Sequence, residues 1–280
     1  MKKVLLTGGT GFIGKNVTES LGRACELYTP TRQELNLLDE RAVRDYLRQH
    51  DIEIVIHGAN PNPVKSALDK RETMFEDSIR GFENLYHAQD YYDRMYTLGS
   101  GAEYDKSRDM VLISEEEAGR SIPCDSYGLS KYVMNQLTER SEKHYNLRIF
   151  ACYGPGDHES KFITHAIRCC MKREPITIRQ DCCFDYMHVS DLAEILKFFI
   201  SHVPACKAYN VCTGTRYLLS RIADMVRVQM KSENGIILLK EGLNKEYTGS
   251  NHRLLAEMGS YRFLSLEEGI RIQIESELYH

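Results

Sequence analysis

The chain has 280 residues, enough for one large domain or two closely packed smaller ones. Apolar residues make up 42% and charged residues 27%, which excludes collagen-like, coiled-coil and disordered chains. With 36 Lys and Arg against 40 Asp and Glu, the formal charge of -4 disfavours a general nucleic-acid or anionic-membrane surface. No apolar run reaches the roughly 18 residues of a membrane helix, and glycines interrupt the N-terminal run too soon for a signal peptide. We therefore expect a cytoplasmic protein.

The chain carries nine cysteines, an odd number, and none of them forms a Cys-x-x-Cys motif. The adjacent pairs Cys169-Cys170 and Cys182-Cys183 lack the spacing of zinc-finger ligands. Reduced thiols in a reducing compartment behave as small apolar residues. We predict thiols of this kind and no metal, with a metal site or a redox switch as the less favoured interpretation.

Short apolar runs alternate with stretches of helical spacing along the first half of the chain. The predicted strands cover residues 4–7, 25–29, 52–57, 94–98 and 147–152, and the predicted helices cover residues 11–21, 39–50, 64–92 and 126–145. Residues 52–57 are almost all apolar, as expected for a strand buried on both faces. The alternation predicts an α/β protein with a Rossmann-type, doubly wound parallel sheet.

Beyond Tyr153 the alternation becomes irregular, and prolines separate shorter elements. We predict a dinucleotide-binding domain over residues 1–155, with a return segment near residues 185–203. A smaller C-terminal α/β lobe, which would bind the substrate, would comprise residues 156–184 and 204–280.

Gly8, Gly11 and Gly14 form a Gly-x-x-Gly-x-x-Gly pattern between the first strand and the first helix. With Phe12 and Ile13, which lie between the last two glycines, they are the predicted cofactor-binding residues of this loop. Glycines in this context let backbone N–H groups approach a pyrophosphate, whose negative charge the helix N-terminus favours. Because the strand–turn–helix context accompanies the pattern, it predicts a dinucleotide site in preference to a structural glycine turn.

The end of the second strand distinguishes NAD from NADP, because NAD sites place an acid there that binds the ribose 2′-hydroxyl. In this chain no acid ends the strand, and Arg32 would instead bind a 2′-phosphate. Glu34 is close enough in sequence to compete for the ribose. The pattern favours NADP(H), with NAD(H) as the alternative and a solvated loop arginine as the non-functional interpretation of Arg32.

Tyr127 and Lys131 are four residues apart at the start of a predicted helix, so their side chains share one face. A tyrosine pKa of about 10 is lowered by a neighbouring ammonium, and the pair would then exchange a proton with a carbonyl oxygen during hydride transfer. Ser100 follows the strand 94–98 at the ligand-binding edge of the sheet, and its hydroxyl would donate to the same oxygen. We predict Ser100, Tyr127 and Lys131 as catalytic residues.

Several further segments carry a family resemblance. Beside the glycine loop and the Tyr/Lys pair, they are residues 55–59, Ser100 with Tyr104, and residues 153–155, 185–193 and 264–270. Together these segments resemble the extended short-chain dehydrogenase/reductases of the NAD-dependent epimerase/dehydratase type, which act on nucleotide sugars. Residues 32–43 are similar to the GDP-L-fucose synthase branch, an NADPH-dependent one, and this strengthens the NADP prediction.

The resemblance implies contacts to the cofactor and to a second subunit. The residues on the adenine and ribose side of the cofactor would be Asn36, Leu37, Gly58, Ala59, Asn60 and Ser78. Lys131 would also hold the nicotinamide ribose. The helices at residues 64–92 and 126–145 would pair across a two-fold axis in a homodimer, unless their apolar faces are buried within the monomer. The other partner would be a small-molecule sugar nucleotide, with no nucleic acid or membrane.

Departures from the family pattern narrow the predicted reaction. Fucose synthases place an epimerising cysteine where this chain has Ala102, and their second epimerising group, a histidine, falls near Lys161. The dehydratases place acids at positions held here by Gly101 and Ala102, while Glu103 lies one place later and would point away by strand alternation. The remaining Ser/Tyr/Lys set supports hydride transfer without inversion or dehydration.

Two further departures concern diphosphate binding. Many relatives have Asn and Arg at positions that hold Ala151 and Phe184 in this chain. Arg179 and Arg216 would compensate, although surface salt bridges are the plainer interpretation of both arginines. With Lys161, they are the predicted substrate contacts.

These patterns predict an NADP(H)-dependent reductase of a 4-keto-6-deoxy sugar nucleotide, in cell-surface polysaccharide synthesis. The alternative is an NAD-dependent sugar-nucleotide epimerase or dehydratase that retains its cofactor. A third interpretation, from a different class, is a non-catalytic dinucleotide-sensing binding protein. The intact Ser/Tyr/Lys set argues against it, because a sensor has no need of a proton donor.

Overall fold

The computed structural model describes residues 1–60 and 73–279. The chain divides into two compact units, each assembled from separate segments. The first unit comprises Met1–Asp105, Glu115–Ile149 and Ala193–Asn210, and the second unit comprises Lys106–Ser114, Phe150–Leu192 and Val211–His280.

The first unit contains a six-stranded sheet and the helices that follow its strands. The strands of the sheet are β1 Lys3–Thr7, β2 Glu26–Tyr28, β3 Ile54–His57, β4 Arg94–Ser100, β6 His144–Ile149 and β11 Ala208–Val211. The helices are α1 Phe12–Gly22, α2 Glu40–Gln49, α3 Met74–His87, α4 Ser126–Thr138 and α6 Val189–Ser201, of which α6 begins in the second unit. Short 3-10 turns cover Gln89–Tyr91, Gly101–Glu103 and Glu115–Glu117.

The strand order in this sheet is β11-β6-β4-β3-β1-β2, and the pairings among β2, β1, β3, β4 and β6 are all parallel. The chain places β2 on one side of β1 and β3 on the other side. The sheet is therefore doubly wound. Ile54, Val55 and Ile56 are fully buried, because helices cover both faces of β3. The predicted α/β fold of the Rossmann type is confirmed.

Two predicted helices differ from the structure. The helix predicted over residues 126–145 ends at Thr138, because the chain turns there and enters the sheet. The Ser141 N–H donates to the Thr138 carbonyl at 3.1 Å, and β6 pairs with β4 from His144 onward. Of the helix predicted over residues 64–92, the structure has Met74–His87, while residues 61–72 lie outside the described residues.

The second unit consists of short strands and helices around its own core. Its strands are β5 Met110–Ile113, β7 Ala151–Tyr153, β8 Ile176–Ile178, β9 Cys183–Phe184, β10 Tyr186–His188, β12 Tyr217–Leu218, β13 Ile236–Leu238 and β14 Tyr247–Gly249. Its helices are α5 Phe162–Lys172, α7 Leu219–Gln229, α8 His252–Met258 and α9 Leu266–Tyr279. The core packs apolar side chains of α5, α7 and α9 against β8, with Ile167, Ile176, Ile222 and Ile270 fully buried.

Within the described ranges, no helix has the length and apolar composition needed to cross a membrane. All nine cysteines carry free thiols, five of them buried. In the same part of the chain, no cluster of His, Cys, Asp and Glu side chains is arranged to hold a metal ion.

Candidate active site

The glycine loop is shaped by close backbone contacts. Gly8 has φ 81°, a left-handed conformation, and a Cβ there would lie 2.8 Å from the backbone nitrogen of Ala59. A Cβ on Gly14 would overlap the Gly8 carbonyl and lie 2.5 Å from the Gly9 Cα. The Gly11 N–H closes the turn by donating to the Gly8 carbonyl at 3.0 Å. Side chains at Gly8 and Gly14 would therefore open the turn between β1 and α1.

The N-terminus of α1 fits the pyrophosphate of a dinucleotide. Gly11 is the N-cap, and no side chain among the described residues caps the first turn at this residue. Phe12 and Ile13, the first helical residues, are both partly exposed. The first N–H groups of the helix therefore remain available for an anion, and their dipoles favour negative charge.

Arg32 and Glu34 lie in the exposed loop after β2. The Glu34 carboxylate accepts a hydrogen bond from the Thr31 N–H at 2.7 Å, and this bond lowers the pKa of Glu34. Glu34 is therefore engaged within its own loop, whereas the Arg32 side chain is exposed. That Arg32 meets the cofactor ribose stays a prediction.

The other predicted cofactor residues lie around the same edge of the sheet. The Asn36 side chain accepts from the Leu38 N–H at 3.2 Å, and the Leu37 carbonyl accepts from the Asn84 amide at 2.8 Å. The buried Ser78 hydroxyl donates to the carbonyl of Met74 at 2.6 Å, one turn earlier in α3. Gly58, Ala59 and Asn60 follow β3 directly.

Ser100, Tyr127 and Lys131 come together at the carboxyl end of β4. The Ser100 hydroxyl acts on the Tyr127 phenol and favours a lower pKa of that phenol. The Lys131 ammonium is buried and donates to the carbonyl of Leu98 at 2.8 Å. Asp125 caps α4 by accepting from the Gly128 N–H at 2.9 Å, which fixes the start of the helix that carries Tyr127 and Lys131.

Burial has the largest effect on both titratable groups. It raises the pKa of the Tyr127 phenol, although the Ser100 hydroxyl acts in the opposite direction. It lowers the pKa of the Lys131 ammonium to about 8, and the Glu103 carboxylate opposes this change. The sequence argument expected a lowered tyrosine pKa, but burial outweighs that expectation in the folded chain. A phenol that holds its proton at neutral pH suits the role of proton donor in a reduction.

A row of buried polar side chains crosses the sheet next to α4. The strand register aligns Thr7, His57, Thr97 and Asn146 on β1, β3, β4 and β6. His57 shares a hydrogen bond with the Thr7 hydroxyl at 3.0 Å, and burial, with a smaller effect of the Lys131 charge, lowers the His57 pKa to about 3. His57 is therefore neutral, and the positive charge that acts on it is that of Lys131.

Glu103 is a residue that sequence reasoning misplaced. Strand alternation would turn it away from Ser100, but Gly101–Glu103 form a 3-10 turn. The Glu103 carboxylate folds back and accepts from the Ser100 N–H at 3.0 Å. The available signal was Arg148, a charged residue inside a predicted strand, because arginine is rarely fully buried unless it is paired.

The three predicted substrate residues lie on separate elements of the second unit. Lys161 is the exposed N-cap of α5, and Arg179 is exposed just after β8. Arg216 binds the Glu246 carboxylate through Nε at 2.7 Å and a terminal nitrogen at 2.6 Å. The structure therefore gives Arg216 a salt bridge, which was the plainer interpretation of this residue.

The positions that depart from the family pattern are apolar in the structure as well. Ala102 is buried in the 3-10 turn Gly101–Glu103 that follows β4. Phe184 packs its ring against Tyr186 and Tyr247, with ring centroids 5.6 and 5.4 Å apart. Ala151 begins β7 and is partly buried. None of the three side chains can exchange a proton or bind a diphosphate.

Comparison with known proteins agrees with this arrangement. The model of the NAD-dependent epimerase/dehydratase family matches residues 4–212. The chain belongs to this family. GDP-L-colitose synthase of Yersinia pseudotuberculosis is 25% identical, over 96% of this chain and 95% of the relative. GDP-L-fucose synthase of Escherichia coli K12 is 23% identical, over 96% and 94% of the two chains. The predicted family resemblance is confirmed.

A solved structure shows the same fold. GDP-mannoheptose C4 reductase from Campylobacter jejuni, with NADP bound, superposes with a TM-score of 0.84 at 17% identity. The superposition covers 99% of this chain and 98% of that one. The protein is therefore related to enzymes that modify sugar nucleotides by oxidoreduction or epimerisation. This conclusion rests on its membership of the epimerase/dehydratase family and on the two curated relatives.

Proposed function

We propose that this protein is an NADP(H)-dependent reductase of a 4-keto-6-deoxy sugar nucleotide. The observation that carries the proposal is that Ser100, Tyr127 and Lys131 meet at the carboxyl end of β4, in a site where Ala102 replaces a proton-transferring side chain. Such a set supports addition of a hydride and a proton to a carbonyl group. It lacks the group that would invert a neighbouring stereocentre.

In the proposed reaction, bound NADPH supplies the hydride to the keto carbon. Ser100 donates its hydroxyl hydrogen to the carbonyl oxygen and stabilises the negative charge that develops there. Tyr127 gives its phenolic proton to that oxygen, and the Lys131 ammonium stabilises the resulting phenolate. Lys131 would also bind the nicotinamide ribose.

Three features support NADPH as the preferred cofactor. No acid ends β2, Arg32 is exposed, and the competing Glu34 is bonded to Thr31. Arg32→Ala should weaken NADPH binding about tenfold and leave NADH binding unchanged, because the guanidinium would bind the 2′-phosphate. Fluorescence titration with both cofactors measures this. Equal affinity of the wild-type protein for NADH and NADPH would contradict the assignment.

The substrate diphosphate is assigned to positive side chains of the second unit. Lys161 and Arg179 both have exposed side chains. Arg216 would have to leave Glu246 before it could bind a phosphate. We therefore rank Lys161 and Arg179 above Arg216 as diphosphate ligands.

NADPH oxidation with a panel of keto sugars tests the proposal. The panel consists of GDP-, dTDP- and CDP-linked 4-keto-6-deoxyhexoses, and consumption of NADPH is followed by absorbance. Turnover with one of them should fall about 10²- to 10⁴-fold in Tyr127→Phe, with NADPH affinity unchanged. Tyr132→Phe, on the same helix, is the matched control and should keep its activity. No turnover with any of the panel would overturn the sugar-nucleotide assignment.

Isotope incorporation separates a reductase from an epimerase. Product made in heavy water should carry no deuterium at C3 or C5, because no group at Ala102 exchanges those protons. Deuterium at either carbon would instead support an epimerase, and tightly retained NAD in the purified protein would support an epimerase or dehydratase. Tight NADPH binding without turnover of any substrate would support a dinucleotide sensor.

We also propose a cytoplasmic homodimer that uses α3 and α4, two helices that pack against each other in the first unit. Sedimentation equilibrium should then give twice the mass of 32.3 kDa. A monomer at micromolar concentration would contradict the dimer without affecting the proposed reaction.

A further inference from the structure

Glu103 lies directly behind the proposed catalytic serine. Its side chain is 3% exposed, and its carboxylate accepts three hydrogen bonds. Oε1 accepts from the Ser100 N–H at 3.0 Å, while Oε2 accepts from Arg148 Nε at 2.7 Å and from the Asn146 amide at 2.8 Å. A carboxylate with this many donors is held in one position.

The neighbouring residues are shaped around this carboxylate. Gly99 precedes Ser100, and a Cβ on Gly99 would overlap the side chains of Asn146 and Glu103. The strand register places Gly99 opposite Arg148, so the guanidinium lies on the same face of the sheet. The absence of a side chain at residue 99 therefore leaves the space in which the carboxylate, the amide and the guanidinium meet.

The turn also determines what the Ser100 hydroxyl can do. The hydroxyl oxygen accepts from the Ala102 N–H at 3.1 Å, while the Ser100 N–H is bonded to Glu103, so the two bonds close a capping box. The same hydroxyl acts on the Tyr127 phenol and lowers its pKa. The two bonds of the turn therefore hold Ser100 in place next to Tyr127.

Glu103 acts on Lys131 through charge. Burial lowers the pKa of Lys131 to about 8, and the Glu103 carboxylate acts against burial. The other titratable neighbours are Tyr127, on the same helix, and His57, which is neutral. Burial raises the pKa of Glu103 itself, whereas Arg148 and the hydrogen bonds from Ser100 and Asn146 favour its ionised form.

We propose that Glu103 is a positioning residue of the reductase, whose carboxylate aims the Ser100 hydroxyl and compensates the buried Lys131 ammonium. Arg148 is the counter-charge that makes a buried carboxylate possible at this place. The inference rests on the proposed function for its activity readout. Its electrostatic part concerns the protein alone and can be measured without a substrate.

The test compares Glu103→Gln with the wild type. The variant should lower kcat about 10- to 100-fold with KM within about threefold, because a displaced donor affects the transition state more than substrate binding. The alkaline limb of the pH profile of kcat/KM should move down by about one pH unit, because the charge that supports the ammonium is lost. Glu115→Gln is the matched control, because Glu115 is also a buried glutamate and binds the Asn210 N–H at 2.7 Å.

A second variant keeps the test informative if Glu103→Gln leaves Arg148 unpaired and fails to fold. Glu103→Gln/Arg148→Met removes both charges, and such replacements are often tolerated. Under the proposal, this variant recovers stability but keeps the lowered alkaline limb. A wild-type kcat and an unchanged limb in the folded double variant would mean that Glu103 merely neutralises Arg148, and would overturn the inference.

NADPH binding separates failure of the inference from failure of the proposed function. If the wild type reduces no keto sugar, the pH dependence of NADPH affinity still reports the Lys131 charge. Glu103→Gln should then lose NADPH affinity at a lower pH than the wild type and Glu115→Gln. Identical pH dependence in all three proteins would overturn the electrostatic role of Glu103, whatever the substrate is.

Discussion

The two units bury charged side chains in different surroundings. In the first unit, Glu103, Arg148 and Lys131 are 3%, 1% and 3% exposed, and the carboxylate is bonded directly to the guanidinium. In the second unit, Asp185 is fully buried, and its bonds come from uncharged donors. Its carboxylate accepts from the Thr213 N–H and hydroxyl at 2.9 and 2.6 Å and from the Gly214 N–H at 2.7 Å.

Two more aspartates of the second unit follow the same principle. Asp181 accepts from the Cys182 and Ser220 N–H groups at 3.0 and 3.1 Å, and this ties the loop before β9 to the start of α7. Asp191 accepts from the Tyr261 hydroxyl at 2.7 Å and from the Leu264 N–H at 3.1 Å. Each carboxylate joins two segments that lie far apart in sequence.

The comparison distinguishes two roles of buried charge. In the first unit the role is electrostatic, and in the second unit it is structural. In the first unit, the Glu103 carboxylate shifts the pKa values of Tyr127 and Lys131, on which burial has the largest effect. In the second unit, the carboxylates accept hydrogen bonds from N–H groups of irregular loops. They serve in place of the carbonyl groups that would pair with such N–H groups in a helix or a sheet. Removing one of the buried charges Glu103, Arg148 or Lys131 should therefore change the chemistry, whereas removing one of the buried aspartates of the second unit should change stability.

Lys131→Met is the strongest test of the first half of this comparison. The variant should lower kcat for keto-sugar reduction by about 10²- to 10⁴-fold, because no ammonium remains to stabilise the Tyr127 phenolate. Its free energy of unfolding should stay close to that of the wild type, because a buried ammonium costs solvation that methionine does not. Steady-state kinetics and urea denaturation measure the two quantities.

Lys143→Met is the control for this substitution. Lys143 belongs to the same unit and donates to the carbonyls of Gln89 and Tyr92 at 2.8 and 3.2 Å. Its loss should affect stability and leave kcat within about twofold. If Lys131→Met is less stable than the wild type but its folded fraction keeps wild-type activity, the role of Lys131 is structural, like that of the aspartates in the second unit.

The sequence predicted the parts of the first unit that depend on local geometry. The glycine loop was predictable because Gly8 and Gly14 fill positions that a Cβ would obstruct. Tyr127 and Lys131 were predictable because helix periodicity alone places them on one face. Glu103 was misplaced because alternation holds within a strand, and the chain leaves the strand at Gly101.

The second unit was less predictable, because its buried carboxylates bind distant segments. Asp185 and Thr213 are separated by 28 residues, and Asp191 and Tyr261 by 70. No local pattern identifies such partners. The same reason applies to residues 106–114, whose strand β5 pairs with β14 in the second unit, more than a hundred residues later.

Asp181→Asn tests the structural half of the comparison. The amide cannot accept at both of its terminal atoms, so part of the link to Ser220 is lost. The free energy of unfolding should fall by about 1 to 3 kcal/mol. NADPH affinity, which belongs to the first unit, should change by less than about twofold. Chemical denaturation and cofactor titration on the same preparation would show both.

Asp181→Ala should be at least as destabilising, because it leaves the same N–H groups buried without a partner. An Asp181→Asn protein with wild-type stability but weakened NADPH binding would mean that the aspartate acts on the chemistry, and the distinction between the units would fail.

The pH dependence of kcat/KM is the smallest of the predicted effects. It is also the one that reports the charge of Lys131 most directly. The proposed mechanism requires the protonated form of Lys131, whose pKa burial lowers from an ordinary 10.5 to about 8. The charge is therefore present below pH 8 and lost above it, and kcat/KM should fall about tenfold between pH 7 and pH 9. The Tyr127 pKa is raised, so the phenol does not limit activity in this range.

Lys131→Arg identifies the group responsible for this limb. A guanidinium stays protonated throughout the range, so the residual activity of the variant should no longer fall between pH 7 and pH 9. His57 is held neutral with a pKa of about 3, so no acid limb near pH 6 should come from this residue. A limb that persists at pH 8 in Lys131→Arg would assign the titration to Tyr127 instead. That result would mean that the phenol, and not the ammonium beside it, is the group whose charge the first unit controls.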